Sequence, residues 1–194
     1  MDRINEIIRF WRIEVGEKYW YQSSEQIDAA IRRRYAPLWQ VGSQGALSEW
    51  ERNAEGALAL LLLLDQFPRN MFREDPRAFQ TDPMARRHAD RAIAEGFDLQ
   101  IGPPLQQFFY LPFMHSEELA DQDRAVSLFA ERWRSEDNLR HARAHRSVIE
   151  RFGRFPWRNS ALDRETTPEE QAFMEQGGYR KALADADELK LSVK

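Results

Sequence analysis

Apolar residues along this chain recur at steps of three and four, the repeat of an amphipathic helix. No stretch alternates with period two as a half-buried strand does. Ile4, Ile7, Ile8, Trp11 and Val15 form the first stripe, with Arg3, Glu6, Arg9 and Arg12 mostly off it, and Gly16 ends it. Ser23, with Gln26 three residues on, predicts a capped start for the next helix, whose stripe is Ile27, Ile31, Tyr35 and Leu38. At residues 57–64, ALALLLLL, the pattern changes. Every position is apolar, so a helix here is hydrophobic all round and belongs in the middle of a core. The run is far shorter than the ~20 residues that cross a bilayer. Asp65 and Gln66 follow it directly, and Phe67-Pro68-Arg69-Asn70 is expected to break the helix and turn the chain.

The remaining signals are of the same kind. Ser48 with Glu51 resembles a cap, and Asn53 a second cap at the entrance to the leucine run. Pro83 opens a helix that closes near Gly96. Residues 101–112 place Leu105, Phe108, Phe109, Tyr110 and Leu111 among prolines, which predicts a short, buried aromatic turn. Ser116 is expected to cap a helix lined by Leu119, Val126, Phe129, Ala130 and Trp133. Ser135 starts a helix that stops at Gly153. Thr167 with Glu170 caps a short last helix, and a polar, loosely held tail is expected from about residue 177. About seven helices joined by short turns imply a single all-α domain over residues 1–194, an antiparallel helical array. A tetratricopeptide repeat of about 34 residues is not apparent.

Composition narrows the chemistry. The chain has no cysteine, which excludes a disulfide framework, a thiolate metal site and a cysteine nucleophile. Its net charge of −4 argues against generic binding of polyanions. Residues 140–158 carry six arginines and one acid, Glu150, with Phe152, Phe155 and Trp157 nearby, yet no nucleic-acid motif accompanies them, so nucleic acid is not expected as a partner. The opening MDRINEIIRFWRIE has no apolar run behind a basic start, so a soluble, cytoplasmic protein with no membrane partner is expected. His141 and His145 have the spacing of two metal ligands on one helix face. No acid lies between them and arginines surround them, so neither a metal nor a cofactor is expected.

Two helix exits resemble each other: LDQFPRN at residues 64–70 and RFGRFPWRN at residues 151–159. In each, proline directs the chain and an arginine follows on a rigid segment. Side by side, Arg69 and Arg158 would clamp one anion; apart, each would serve the carbonyls of its own helix end. Asp65, at the end of an all-apolar helix, is expected to be buried and paired with Arg69, or else to act as a perturbed general base. His145 falls at the centre of the apolar face formed by Leu139, Ala142, Val148, Ile149 and Phe152. His115 stands directly before the Ser116 cap, where helix starts attract anions. Asp65, Gln66, Arg69, His115, His145 and Arg158 therefore make up a candidate pocket for a small anionic ligand or an acidic peptide terminus. Two alternatives stand beside it. One is an enzyme using Asp65 or His145 as general base, with the arginines stabilising negative charge. The other is an adaptor that docks a partner on its aromatic residues 108–113.

The strings DQFPRNMFR, FFYLPFMHSEELADQDRAVSLF and HRSVIERFGRFPWRN resemble an uncharacterised bacterial family, domain of unknown function 924. The resemblance begins near Phe10 and fades after residues 166–170. It implies an all-α fold related to tetratricopeptide-like helical arrays, and no known activity, substrate or catalytic residue. The chain departs from the family pattern at Trp157, where histidine is common, and at Arg12, where an aromatic residue is common. A catalytic or metal-binding role for that histidine would be missing from this chain.

Overall fold

Residues 57–64 are buried to the last side chain, none more than 3% exposed. In the computed structural model, which describes residues 2–133 and 135–192 and the helical side chains as far as 186, they form the axis of the first of two units. Every regular element among the described residues is helical, as the apolar periodicity requires. The units are Met1–Pro112 and Phe113–Lys194.

In the first unit, α1 (Arg3–Arg9) widens into a π-helical turn, Phe10–Val15, that ends at Gly16. Helix α2 (Glu25–Ser43) is capped by Ser24, one residue later than expected. Ser48–Arg52 is a 3-10 segment, after which Asn53 caps α3 (Ala54–Leu61) by accepting from the Gly56 amide. Glycine is required at that first turn, because a Cβ on Gly56 would lie 2.1 Å from the Trp50 carbonyl oxygen. Around α3 pack α1, α5 (Asp82–Ala94) and α6 (Phe97–Ile101). A helix touched on so many sides has to be apolar all round, which explains the leucine run.

The Phe-Pro exit does not break this helix. The chain widens into a π turn, Leu62–Gln66, and continues as α4 (Phe67–Met71) straight through Pro68. Pro68 has no N–H to give the turn before it, and at that turn the Thr81 hydroxyl, seventeen residues further on, donates to the Leu64 carbonyl.

The aromatic segment 105–114 is core, with Phe108, Phe109, Tyr110, Leu111 and Phe113 all at 2% exposure or less. The docking surface expected there is buried. Helix α7 (Leu111–Met114) spans the division between the units.

In the second unit, α8 (Leu119–Leu128) and α11 (Tyr179–Ser192) both pack on α9 (Glu136–Phe152). Ser116 supports the start of α8 by accepting from the Glu118 amide, although the helix begins three residues after it. The inner face of α8 is Gln122, Ala125, Leu128 and Phe129, while Leu119 and Ala130 are exposed. The π turn at Phe129–Trp133 shifts the phase that regular spacing assumes. Ser135 and left-handed Gly153 bound α9 as expected, and Thr167 forms a capping box on α10 (Pro168–Glu175). The polar tail is a further helix, α11, as far as Ser192, and residues 193 and 194 lie outside the described residues. No helix among the described residues is long and apolar enough to cross a membrane.

Candidate functional site

The six candidate residues fall three to each unit. In the first, Asp65 and Gln66 leave the leucine run on the π turn and Arg69 lies one turn on. Asp65 is 2% exposed. Arg69 Nη1 lies 3.3 Å from its carboxylate and donates to its backbone carbonyl at 2.6 Å. The second partner comes from the start of α5: Asp82 accepts both Arg69 Nη1 and Nη2, at 3.0 and 2.8 Å, in a bidentate fork. Burial pushes the Arg69 guanidinium down, but Asp65 and Asp82 outweigh it and hold it above its ordinary value. Gln66 donates to Asn70, Asn70 donates to Asp28, and Arg73 binds the same Asp28 carboxylate. The first exit is thus a buried network in which both faces of Arg69 are occupied by carboxylates.

The second exit has a different surrounding. After Gly153, Phe155 and Pro156 lead into a 3-10 turn, Pro156–Arg158. Arg158 is 7% exposed, lies over the Phe155 ring at 4.5 Å and donates to the His115 carbonyl at 2.8 Å. Two candidates from segments 43 residues apart are joined there. The third, His145, faces Phe155, Trp157 and Tyr179, its ring centroid 5.4, 6.1 and 4.7 Å from theirs. Its Nδ1 is 2.9 Å from the His141 carbonyl oxygen. A carbonyl only accepts, so Nδ1 carries the proton and Nε2 the lone pair. Burial pushes this imidazole down to about 3. The His141 carbonyl opposes the shift, and the positive charges of His115, Arg158 and His141 add to it. His145 is therefore neutral at physiological pH, with the Arg158 guanidinium among the charges that keep it so.

Glu117, directly after the Ser116 that supports α8, completes the frame. It accepts from the Phe155 amide at 3.0 Å and pairs with Arg164 at 2.8 Å, tying the second exit to the segment that carries His115. Burial pushes its carboxyl up, but Arg164, the Phe155 amide and Arg158 outweigh that and hold it below the ordinary carboxylate range. The arginines on and after α9 are largely engaged. Arg146 binds Asp123 and Glu150, Arg151 binds Glu169, and Arg154 binds Glu170. Among the described residues, no three His, Asp or Glu side chains are grouped to hold a metal ion.

None of the curated proteins matches the chain. A solved structure of a protein of unknown function, ATU0120 from Agrobacterium tumefaciens, is similar to it at 42% identity. The match has a TM-score of 0.85 and covers 90% of this chain and 97% of that one. The model of the family described as "Bacterial protein of unknown function (DUF924)" matches residues 7–178, which include both exits and every candidate residue. The chain belongs to that family.

Proposed function

We propose that the protein binds a small carboxylate-bearing molecule, and that the second unit supplies the site from Arg158, His115 and His145. One observation carries this. The Arg158 guanidinium, and the His115 and His141 imidazoles when protonated, act on His145 as cations, while the walls beside it are the rings of Phe155, Trp157 and Tyr179. A carboxylate entering there gains from Arg158 and favours the protonated form of the neighbouring imidazoles, His145 among them. The first-exit residues Asp65, Gln66 and Arg69 take a scaffolding part in this proposal. An anion would have to displace Asp82 from a bidentate fork to reach Arg69.

Binding is favoured over general-base catalysis for a quantitative reason. The His141 carbonyl holds His145 in the tautomer a base needs, but an imidazole with a pKa of about 3 lies some four units below the operating range of an effective base near neutrality. Asp65 is no better placed, since its carboxylate faces Arg69.

A thermal-shift panel of mono- and dicarboxylates tests the proposal, with the His145 imidazole resonances followed by NMR. At ~100 times its dissociation constant a true ligand adds about 2.7 kcal/mol to stability. It is also expected to move the His145 signal toward the protonated form. Arg158→Lys keeps the charge but loses the planar fork, and is expected to reduce the gain by more than half. A panel in which no acid moves the His145 signal would refute the proposal.

A further inference from the structure

The family match ends at residue 178, and the next residue already occupies the candidate site. Gly177 and Gly178 both have positive φ, +114° and +55°, a double turn that starts α11 at Tyr179. Helix α11 packs chiefly on α9. Its buried contact is a small residue, Ala182, with Leu183 and Ala186 only partly covered. The large group at its start is Tyr179. That ring lies 4.7 Å from His145, 5.6 Å from Trp157 and 5.9 Å from His141, centroid to centroid, and its hydroxyl hydrogen-bonds His141 Nδ1.

A phenol is thus held as a ligand would be held, its face against imidazole and indole and its oxygen on a ring nitrogen. The segment that delivers it lies beyond the part of the chain the family model describes. We propose that Tyr179 is a tethered plug, and that the molecule it displaces is a phenol bearing a carboxylate. The phenol oxygen of that molecule takes the place of the Tyr179 hydroxyl on His141, and its carboxylate lies in the field of Arg158 and His115. This deepens the carboxylate-binding proposal and rests on it. For the ligand to enter, α11 swings out on Gly177 and Gly178. As the last described helix, packed chiefly on one neighbour, α9, it can leave without unseating any other element. The closed plug weakens apparent affinity by the fraction of molecules that are open.

The test uses the full chain and Tyr179→Ala, titrated calorimetrically with 4-hydroxyphenylacetate, phenylacetate and tyramine. Tyr179→Ala is expected to bind 4-hydroxyphenylacetate at least tenfold more tightly than the unaltered protein, with phenylacetate weaker and tyramine without measurable affinity. Ala182→Glu, which drives α11 off its seat and leaves the pocket's own residues in place, is expected to give a similar gain. It carries the test alone if Tyr179→Ala fails to fold. Hydrogen exchange of the α11 amides verifies release in each variant. Equal affinity of the two acids for released and unaltered protein overturns the plug and leaves carboxylate binding standing. If neither acid binds any form, or tyramine binds as tightly as 4-hydroxyphenylacetate, carboxylate binding falls together with the plug.

Discussion

The two Phe-Pro exits begin from nearly the same string and reach opposite electrostatic ends. At the first, the helix passes through its proline, and the arginine that follows is held by Asp65 and Asp82. At the second, the helix stops at Gly153, and the arginine donates to a backbone carbonyl and lies over a phenyl ring beside a neutral imidazole. A shared motif places a guanidinium on a rigid segment in both cases. At Arg69 that guanidinium is gripped by a bidentate carboxylate fork, and at Arg158 it rests on a carbonyl and a phenyl ring with Glu117 in reach of its charge.

The contrast is broken most forcefully at Asp82. Removing it with Asp82→Ala leaves Arg69 half-neutralised in the core and is expected to cost about 3–5 kcal/mol in urea unfolding. The double variant Asp82→Ala/Arg69→Met is expected to recover much of that loss, because no buried charge is then left alone. Arg158→Met at the second exit is expected to cost less, about 1–2 kcal/mol, since Glu117 keeps its Arg164 partner when the guanidinium goes. Equal costs at Asp82 and Arg158 would end the distinction.

A pH measurement sharpens it next. The native pKa of His145 is lowered from the ordinary 6.5 to about 3, so as pH falls below 6.5 the unfolded chain takes the proton first. Stability is therefore fully present above pH 6.5 and is lost progressively toward pH 3. At pH 4.5 the loss from this one residue is expected to reach at most about 2.7 kcal/mol. His145→Gln should remove that slope, as judged by urea midpoints at pH 7 and 4.5, and an unchanged slope would place the titrating group elsewhere. Thr81→Val strips the Leu64 carbonyl of this hydroxyl donor and is expected to cost about 1–3 kcal/mol by chemical denaturation. The smallest effect is at the α10 cap, where Thr167→Ala is expected to lower stability by about 1 kcal/mol.

What could be read from the sequence follows from the range of the interactions involved. The leucine core, the caps at Asn53, Ser135 and Thr167 and the stop at Gly153 depend on residues within a turn or two, and the chain shows them directly. The Asp65–Arg69 pair was likewise legible at its spacing of four. Asp82 and Thr81 were not, because each reaches the first exit across the loop before α5. The inner face of α8 was misread at Ala130, since a π turn is invisible to a pattern that assumes 3.6 residues per turn, and at Leu119, which is the first residue of the helix. Helix α11 was missed because two glycines precede a stretch rich in charged residues, with its apolar positions scattered among them. The union of His115 with Arg158 was suspected from the motif, but its means, Glu117 on the Phe155 amide, was not.

The widened turn at Leu62–Gln66 has a consequence for how this protein varies. A bulge of this kind stores one surplus residue while the cylinders before and after it keep their orientation. One leucine can then be dropped from the run without rotating what flanks it, at the expense of a single filled space. In the stretch that looks most rigidly specified, length is the forgiving variable and volume the strict one.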